Sequence, residues 1–182
     1  SPTGGYAYDR RVIELLPHFG GNVQHLKLSA AFPNPAPKDI KDADRLIAAT
    51  PKSAALLVDG LALGAFPASS LPCDGRRLIA IVHHPLFLET GLPHARKVEL
   101  KASERNALQR ADHIVVTSRT TARILAEELE ADPRKITVAE PGTDPAGRAT
   151  GTGSPLHILA VGAVSPRKSY DNLVEALVPL RD

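Results

Sequence analysis

The interpretation of the fold begins with LHILAVG at residues 156–162. It is followed by AVSPRK at 163–168 and SYDNLVEAL at 169–177. Residues 156–162 are almost all apolar and end in glycine, which is typical of a buried parallel strand. From Ser169 the apolar residues recur at helical spacing, and this serine can cap the helix. The stretch therefore predicts a strand, a proline-stiffened turn that holds two adjacent cations, and a helix.

The two cations of the turn are Arg167 and Lys168. They would lie at the carboxyl end of a parallel strand and beside a helix N-terminus, where backbone N–H groups attract anions. A phosphate is the predicted ligand, and the alternative is that the pair is simply solvated. The turn is neither a Walker loop nor a Gly-x-Gly-x-x-Gly dinucleotide turn, because the glycine spacing of both is absent.

Composition excludes several classes of protein. The chain has 182 residues, enough for one domain and part of another. A net charge of +2 and an aromatic content of 4% argue against nucleic acid as a partner. The single cysteine, Cys73, allows no internal disulfide. No apolar run reaches the ~18 residues needed to cross a bilayer. Together with the lack of a visible signal peptide, these features favour a cytoplasmic setting.

Strand and helix patterns alternate along the chain. Apolar or alternating runs predict further strands over residues 22–29, 54–59, 77–82, 113–117 and 136–139. Amphipathic segments predict helices over about 6–18, 39–50, 93–111 and 118–130. This alternation predicts an α/β fold with a doubly wound parallel sheet. Residues 145–155, rich in Gly, Pro, Ser and Thr, predict a linker to a second domain.

Two more segments belong on the rim of the predicted sheet, where ligands of such sheets bind. Gly4 and Gly5 form a turn before the first helix, which would let the backbone approach a ligand closely. His83 and His84 directly follow the strand predicted over 77–82. The alternatives are a simple turn at the glycines and, for the histidines, local hydrogen bonds that hold the next loop.

No metal is predicted. Asp42 and Asp44 match the Asp-x-Asp pattern of metal-dependent sugar transferases, but they lie in a predicted helix and not on a loop at a strand end. Zinc ligation by His83, His84 and His94 is disfavoured because nothing in the sequence fixes their geometry.

Five segments carry a resemblance to a known family. They are TGGYAYDRR at 3–11, VHHPL at 82–86, ADHIVVTS at 111–118, EPGTD at 140–144 and LAVGAVSPRKS at 159–169. In this order they resemble the retaining glycosyltransferases of the GT-B fold, known as glycosyl transferases group 1 or family four. The resemblance implies that residues 1–144 form a Rossmann-like, acceptor-side N-terminal domain. It implies that 156–182 begin a donor-binding C-terminal domain with its first strand and helix.

The resemblance also implies roles for individual residues. Arg167 and Lys168, with Gly162, would bind the diphosphate of the donor. Gly4 and Gly5 would lie near the diphosphate and the acceptor. His83 would face the transferred sugar as a catalytic residue.

The function implied is retaining transfer of a hexose from a nucleotide-sugar donor to a carbohydrate or lipid-linked glycan, with no cofactor. The expected location is the cytoplasm, with peripheral contact at the inner membrane face as a further expectation. The first strand and the acidic motif of the family lie outside the sequence, so we expect an incomplete chain that is inactive alone. A nucleotide-sugar epimerase and a non-catalytic scaffold or binding subunit remain as alternatives, and a dinucleotide oxidoreductase is disfavoured by the missing glycine turn.

Overall fold

A computed structural model describes residues 4–67, 70, 75–148, 150, 151, 153, 154, 157–162 and 164–180. The chain divides into two compact units, Ser1–Pro141 and Gly142–Asp182. Within the described ranges, no helix combines the length and the apolar character needed to cross a membrane.

The first unit contains a four-stranded, fully parallel sheet, which confirms the predicted α/β fold class. The strands lie side by side in chain order. They are β1 (Leu56–Asp59), β2 (Leu78–Val82), β3 (His113–Val116) and β4 (Ile136–Val138). The pairing aligns Asp59 with Ile81 and Val82 with Val116. All four strands therefore end along one edge, which we call the carboxyl edge.

Helices precede, connect and follow these strands. The α-helices are α1 (Gly4–Leu15), α2 (Pro37–Ala48), α3 (Gly60–Leu63), α4 (His94–Arg110), α5 (Arg119–Glu128) and α6 (Tyr170–Leu177). Short 3₁₀ helices span Leu16–Phe19, Leu86–Leu88, Pro133–Lys135, Pro166–Lys168 and Val178–Leu180. The helices predicted from amphipathic spacing are thus confirmed, with ends that shift by a few residues.

The core lies between the sheet and the helices packed on it. Ile114 and Val116 of β3 are fully buried, and β2 is buried along almost its whole length. Leu125 of α5 and Ile40 of α2 pack into the same apolar cluster. Because the central strands are covered by helices, their sequences are apolar runs with little alternation. Burial of these runs holds the carboxyl edge in place.

Two predicted strands are wrong in the described residues. Residues 22–29 and 157–162 have no strand structure; Leu156 and Ala163 lie outside the described residues. A strand exists only when a neighbouring strand satisfies its backbone groups, and an apolar run alone supplies no such neighbour. The helix predicted after residue 168 is confirmed as α6, but Ser169 does not cap it. The Ser169 hydroxyl instead donates to the carbonyl of Pro166 at 3.1 Å.

Candidate active site

The carboxyl edge of the sheet brings polar side chains together. Helix α1 lies at this edge and forms hydrogen bonds to residues that follow β2 and β4. Asp59 is the last residue of β1, and His83 directly follows β2. From α1, Asp9 is hydrogen-bonded to His83, and the Tyr8 hydroxyl donates to the carbonyl of Ala139 just after β4 at 3.1 Å. The carboxyl ends of parallel strands are where such sheets bind ligands. We call Asp9, Asp59 and His83 the His83 group.

The central contact of this group joins His83 to Asp9. Nε2 of His83 lies 2.8 Å from Oδ1 of Asp9, and the two side chains are 20% and 21% exposed. The hydrogen bond to Asp9 is the largest cause of a raised pKa of His83; burial opposes it, and the charges of Asp9 and Asp59 add to it. The two residues are 74 positions apart, so the alternative that His83 is held by a local hydrogen bond is wrong.

Asp59 supplies the second carboxylate of the group. It is the N-cap of α3, and its Oδ1 accepts a hydrogen bond of 3.0 Å from the N–H of Leu61. Burial raises the pKa of Asp59, an effect that the Leu61 hydrogen bond opposes. Gly60 fits here because a Cβ on it would lie 3.2 Å from the carbonyl oxygen of Ile81. Asp59 is therefore fixed against the end of β2, beside His83.

The imidazole of His83 is held on two more sides. The Tyr8 ring meets it edge to face, with centroids 5.3 Å apart, a favoured aromatic arrangement. Burial raises the pKa of Tyr8, and the charge of Asp9 adds to this effect. A Cβ on Gly5 would lie 3.2 Å from Cδ2 of His83, whereas one on Gly4 would meet nothing within 4 Å. Gly5 therefore gives the imidazole its room.

The predicted turn at Gly4 and Gly5 is wrong in one respect. Both residues are the first residues of α1 and not a separate turn before it. Neither has the positive backbone φ angle that would require glycine. The prediction that the glycines and His83 come together at the strand ends agrees with the position of Gly5 against the imidazole.

The loop after His83 is held by a buried carboxylate that sequence reasoning missed. Glu104 of α4 is 5% exposed, and it accepts hydrogen bonds from the N–H groups of Leu86 at 2.7 Å and Phe87 at 3.0 Å. Burial raises the pKa of Glu104 to about 7, although both hydrogen bonds favour its charged form.

Nε2 of His84 is buried and has no hydrogen-bond partner among the described residues.

Helix α5 begins at the same edge. Ser118 caps it, with its hydroxyl accepting a 3.0 Å hydrogen bond from the N–H of Thr121. Nearby, Arg119, Val138 and Glu140 line an open depression of about 340 Å³. The carboxyl edge thus offers space for a ligand near β3 and β4.

The His83 group also meets one condition for a cation site. Each side chain offers a ligand atom, and these atoms lie within 4.8 Å of one another. Nε2 of His83 is already hydrogen-bonded to Asp9, however, and a cation bound at Nε2 would have to replace that bond. We therefore interpret the group as a hydrogen-bonded pair with a second carboxylate beside it. The prediction that no metal takes part stays a prediction.

The Asp-x-Asp pair lies on a helix, as predicted. Asp42 and Asp44 belong to α2. Asp42 forms ion pairs with Lys38 at 3.1 Å and with Arg45 at 2.9 Å on the same helix. The position of this pair within a helix fits the interpretation of a solvated helix face.

The predicted phosphate turn lies in the second unit. Arg167 and Lys168 form part of the 3₁₀ helix Pro166–Lys168; Lys168 is exposed, and the side chain of Arg167 lies outside the described residues. A Cβ on Gly162 would lie 2.8 Å from the hydroxyl of Tyr170. Glycine at 162 therefore leaves room for the first residue of α6. The diphosphate role of the turn stays a prediction.

The sequence named His83 and Gly5 as candidate site residues but assigned no role to Asp9, Asp59 or Glu104. Asp59 carried a usable signal, because it ends an apolar strand and precedes a glycine. Asp9 and Glu104 lie on helices among other charged residues. Their importance becomes visible only when the helices are packed.

The comparisons with known proteins place the chain. A family model described as Glycosyltransferase Family 4 matches residues 3–146, which is most of the sequence and includes the whole carboxyl edge. No curated protein and no solved structure gives a significant match.

Proposed function

The chain belongs to glycosyltransferase family 4, and from this premise we propose that it takes part in the retaining transfer of a hexose from a nucleotide sugar. The proposed acceptor is a carbohydrate or a lipid-linked glycan. The proposal extends the sheet described above to the N-terminal half of a GT-B fold, whose second half would bind the donor. The nucleotide sugar is a substrate, so no separate cofactor is needed.

The observation that carries this proposal is the His83 group at the carboxyl edge of the sheet. A half-buried histidine paired with a carboxylate, beside a second carboxylate, is an arrangement that shifts pKa values, and such shifts are common at catalytic sites. It lies where α/β sheets bind ligands. The side chains come from α1, β1 and the loop after β2, so the fold of the matched domain builds the group.

The chemistry of glycosyl transfer fits such a group. The bond between the anomeric carbon and the diphosphate oxygen breaks, and its electron pair leaves with the diphosphate. The anomeric carbon then bonds to the acceptor oxygen, whose proton leaves with the diphosphate. The sugar becomes oxocarbenium-like and the diphosphate gains negative charge. Groups that are already oriented toward these charges stabilise the transition state more than the ground state. His83 is the residue of this chain that we propose to face the transferred sugar.

The donor side of the proposal rests on the turn of the second unit. We propose that Arg167 and Lys168 bind the diphosphate, with Gly162 giving the backbone close access. A guanidinium can grip two phosphate oxygens together, whereas an ammonium acts as a point charge. Gly4 and Gly5, at the start of α1, are proposed to lie near the diphosphate and the acceptor.

The proposed setting is the cytoplasm, where nucleotide sugars serve as donors. A lipid-linked acceptor would bring the protein to the inner face of the membrane as a peripheral contact. A carbohydrate acceptor would need no such contact. Vesicle flotation with and without an anionic lipid would test this peripheral contact.

Calorimetry tests the proposed donor. The natural protein that contains this sequence should bind UDP, GDP or ADP saturably, and one of the three should bind most tightly. The anomeric configuration of the product, read by NMR from the ¹H–¹H coupling of the anomeric proton, should equal that of the donor. An inverted product would reject retention, and a free epimerised nucleotide sugar would support the epimerase alternative. No saturable binding of any nucleoside diphosphate would reject the proposal.

A further inference from the structure

Because Nε2 of His83 is hydrogen-bonded to Asp9, only Nδ1 of its imidazole remains to bind a ligand. Nε2 lies 2.8 Å from Asp9, and the Cδ2 side of the imidazole faces Gly5. Nδ1 has no hydrogen bond within the described part of the chain, and it is not among the buried polar atoms without a partner. Nδ1 is therefore the nitrogen that can reach a ligand.

The charges that face this imidazole have one sign. Asp9 approaches it from α1, together with the uncharged phenol ring of Tyr8, and Asp59 approaches from the end of β1. From α5, the Thr121 hydroxyl, which is uncharged, donates to the carbonyl of His83 at 3.5 Å. Two carboxylates beside a half-buried imidazole favour its protonated form, because each interacts more strongly with a cation than with a neutral ring.

We infer that Asp9 is a positioning residue that holds His83 as an imidazolium, with Nδ1–H directed toward an oxygen of the substrate. The inference rests on the proposed function and adds a role to it. An imidazolium has no lone pair to accept a proton, so His83 cannot deprotonate the acceptor hydroxyl. It acts as a charged hydrogen-bond donor to a sugar or diphosphate oxygen.

The rival arrangement uses the same hydrogen bond. A neutral His83 that donates from Nε2 to Asp9 would keep a lone pair on Nδ1 and act as a general base, as in hydrolase triads. The two arrangements predict opposite pH dependence. An imidazolium donor loses activity as the pH rises through the pKa of His83, whereas a general base gains activity over the same range.

The protonation state can be measured without any substrate. Ring ¹H–¹³C and ¹⁵N spectra of the histidines, recorded against pH, give the titration midpoint of His83, with H83Q identifying its signals. We expect a midpoint above that of an unperturbed histidine. Asp9→Asn keeps the shape of the side chain and removes its charge, so it should move the midpoint to lower pH. Glu14→Gln makes the same chemical change at an exposed position of α1 and should leave it in place. In the natural protein, a midpoint at or below that of an unperturbed histidine would overturn the inference, whether or not D9N folds.

The pH dependence of kcat/KM completes the test. In the natural protein it should fall as the pH rises through the His83 midpoint, and in D9N the fall should move to lower pH by the same interval as the NMR midpoint. An increase in kcat/KM through that midpoint would identify a general base and overturn the inference. If the NMR titrations behave as expected but no sugar is transferred, the proposed function fails while the assignment of Asp9 and the imidazolium stands.

Discussion

The His83 group and the face between α4 and α5 hold the same kinds of charged side chains at different depths. In the first region, His83 and Asp9 are about one-fifth exposed. In the second, the ion pair of Arg105 and Glu130 has side chains that are 43% and 58% exposed. Exposed ion pairs contribute little to stability because water competes for both charges. Partly buried ion pairs shift the pKa values of their members, and groups with shifted pKa values mark candidate functional sites.

In this protein, the depth at which a charge lies, and not its number of partners, indicates its role. Glu104 is the deepest case, because its carboxylate is almost fully buried and holds two backbone N–H groups. Lys168 is the opposite case, an exposed cation. An exposed charge can matter greatly only if a ligand covers it. Four substitutions or sets of substitutions test this rule at decreasing scale.

Lys168→Ala is the strongest test. As an exposed residue, Lys168 should add little to the free energy of unfolding. If it binds the donor diphosphate, its loss should remove roughly 2–4 kcal/mol of transition-state stabilisation, a fall in kcat/KM of about 30- to 10³-fold. Steady-state kinetics and urea unfolding measure the two effects separately. Arg148→Ala removes another exposed cation of the same unit and should change neither. Equal turnover in K168A and the natural protein would remove Lys168 from the mechanism.

Glu104 tests the effect of a buried charge through the pH dependence of stability. Its pKa is about 7 in the folded chain and 4.5 when unperturbed, so the folded chain binds this proton more tightly than the unfolded chain. Stability from this residue is therefore greatest below pH 4.5 and is lost as the pH rises through 7. The loss is on the order of 3 kcal/mol. Glu104→Gln cannot titrate, so urea unfolding between pH 4.5 and 8 should show this decline in the natural protein and not in E104Q. Identical pH dependence would contradict the assignment.

Gly5→Ala perturbs the His83 group by one methyl group. The new Cβ would lie 3.2 Å from the imidazole, so the ring must move by a few tenths of an ångström. Alanine also favours the helix by up to about 1 kcal/mol. We expect stability to change by no more than about 1 kcal/mol while kcat/KM falls several-fold, because catalysis depends on position more steeply than packing does. Gly4→Ala has open space around its Cβ, so it is the control for the effect of helix propensity on stability. A normal kcat/KM in G5A would show that the position of the imidazole is not critical.

The sequence predicted most of the sheet because its strands are apolar runs with clear ends. The strand predicted over 77–82 is β2, Leu78–Val82. The same pattern failed over 22–29, since pairing partners are not a local property of the sequence. His83 could be named as a candidate because it directly follows a strand, and in parallel sheets such residues lie at the edge where ligands bind.

The partners of His83 depended on packing and could not be predicted in the same way. Asp9 reaches His83 only because α1 lies across the carboxyl edge, a contact between residues 74 positions apart. Glu104 lies on α4, whose sequence is rich in charges, and only its burial distinguishes it from carboxylates that face water. Secondary-structure patterns identify which face of a helix is apolar. They do not show which charged side chain the fold will enclose.

The exposed ion pair of Arg105 and Glu130 should show the smallest energetic effect of the four tests. Glu130 has a left-handed backbone, with φ at 52°, a conformation that costs glutamate and alanine about the same because neither is β-branched and neither side chain bonds the local backbone there. Glu130→Ala therefore keeps the backbone cost and removes only the charge and the side-chain contact. A double-mutant cycle with Arg105→Ala isolates the pair, and we expect a coupling energy of about 0.5 kcal/mol or less, falling further in high salt. A coupling energy as large as the effect at Glu104 would show that depth does not decide what a charge contributes in this protein.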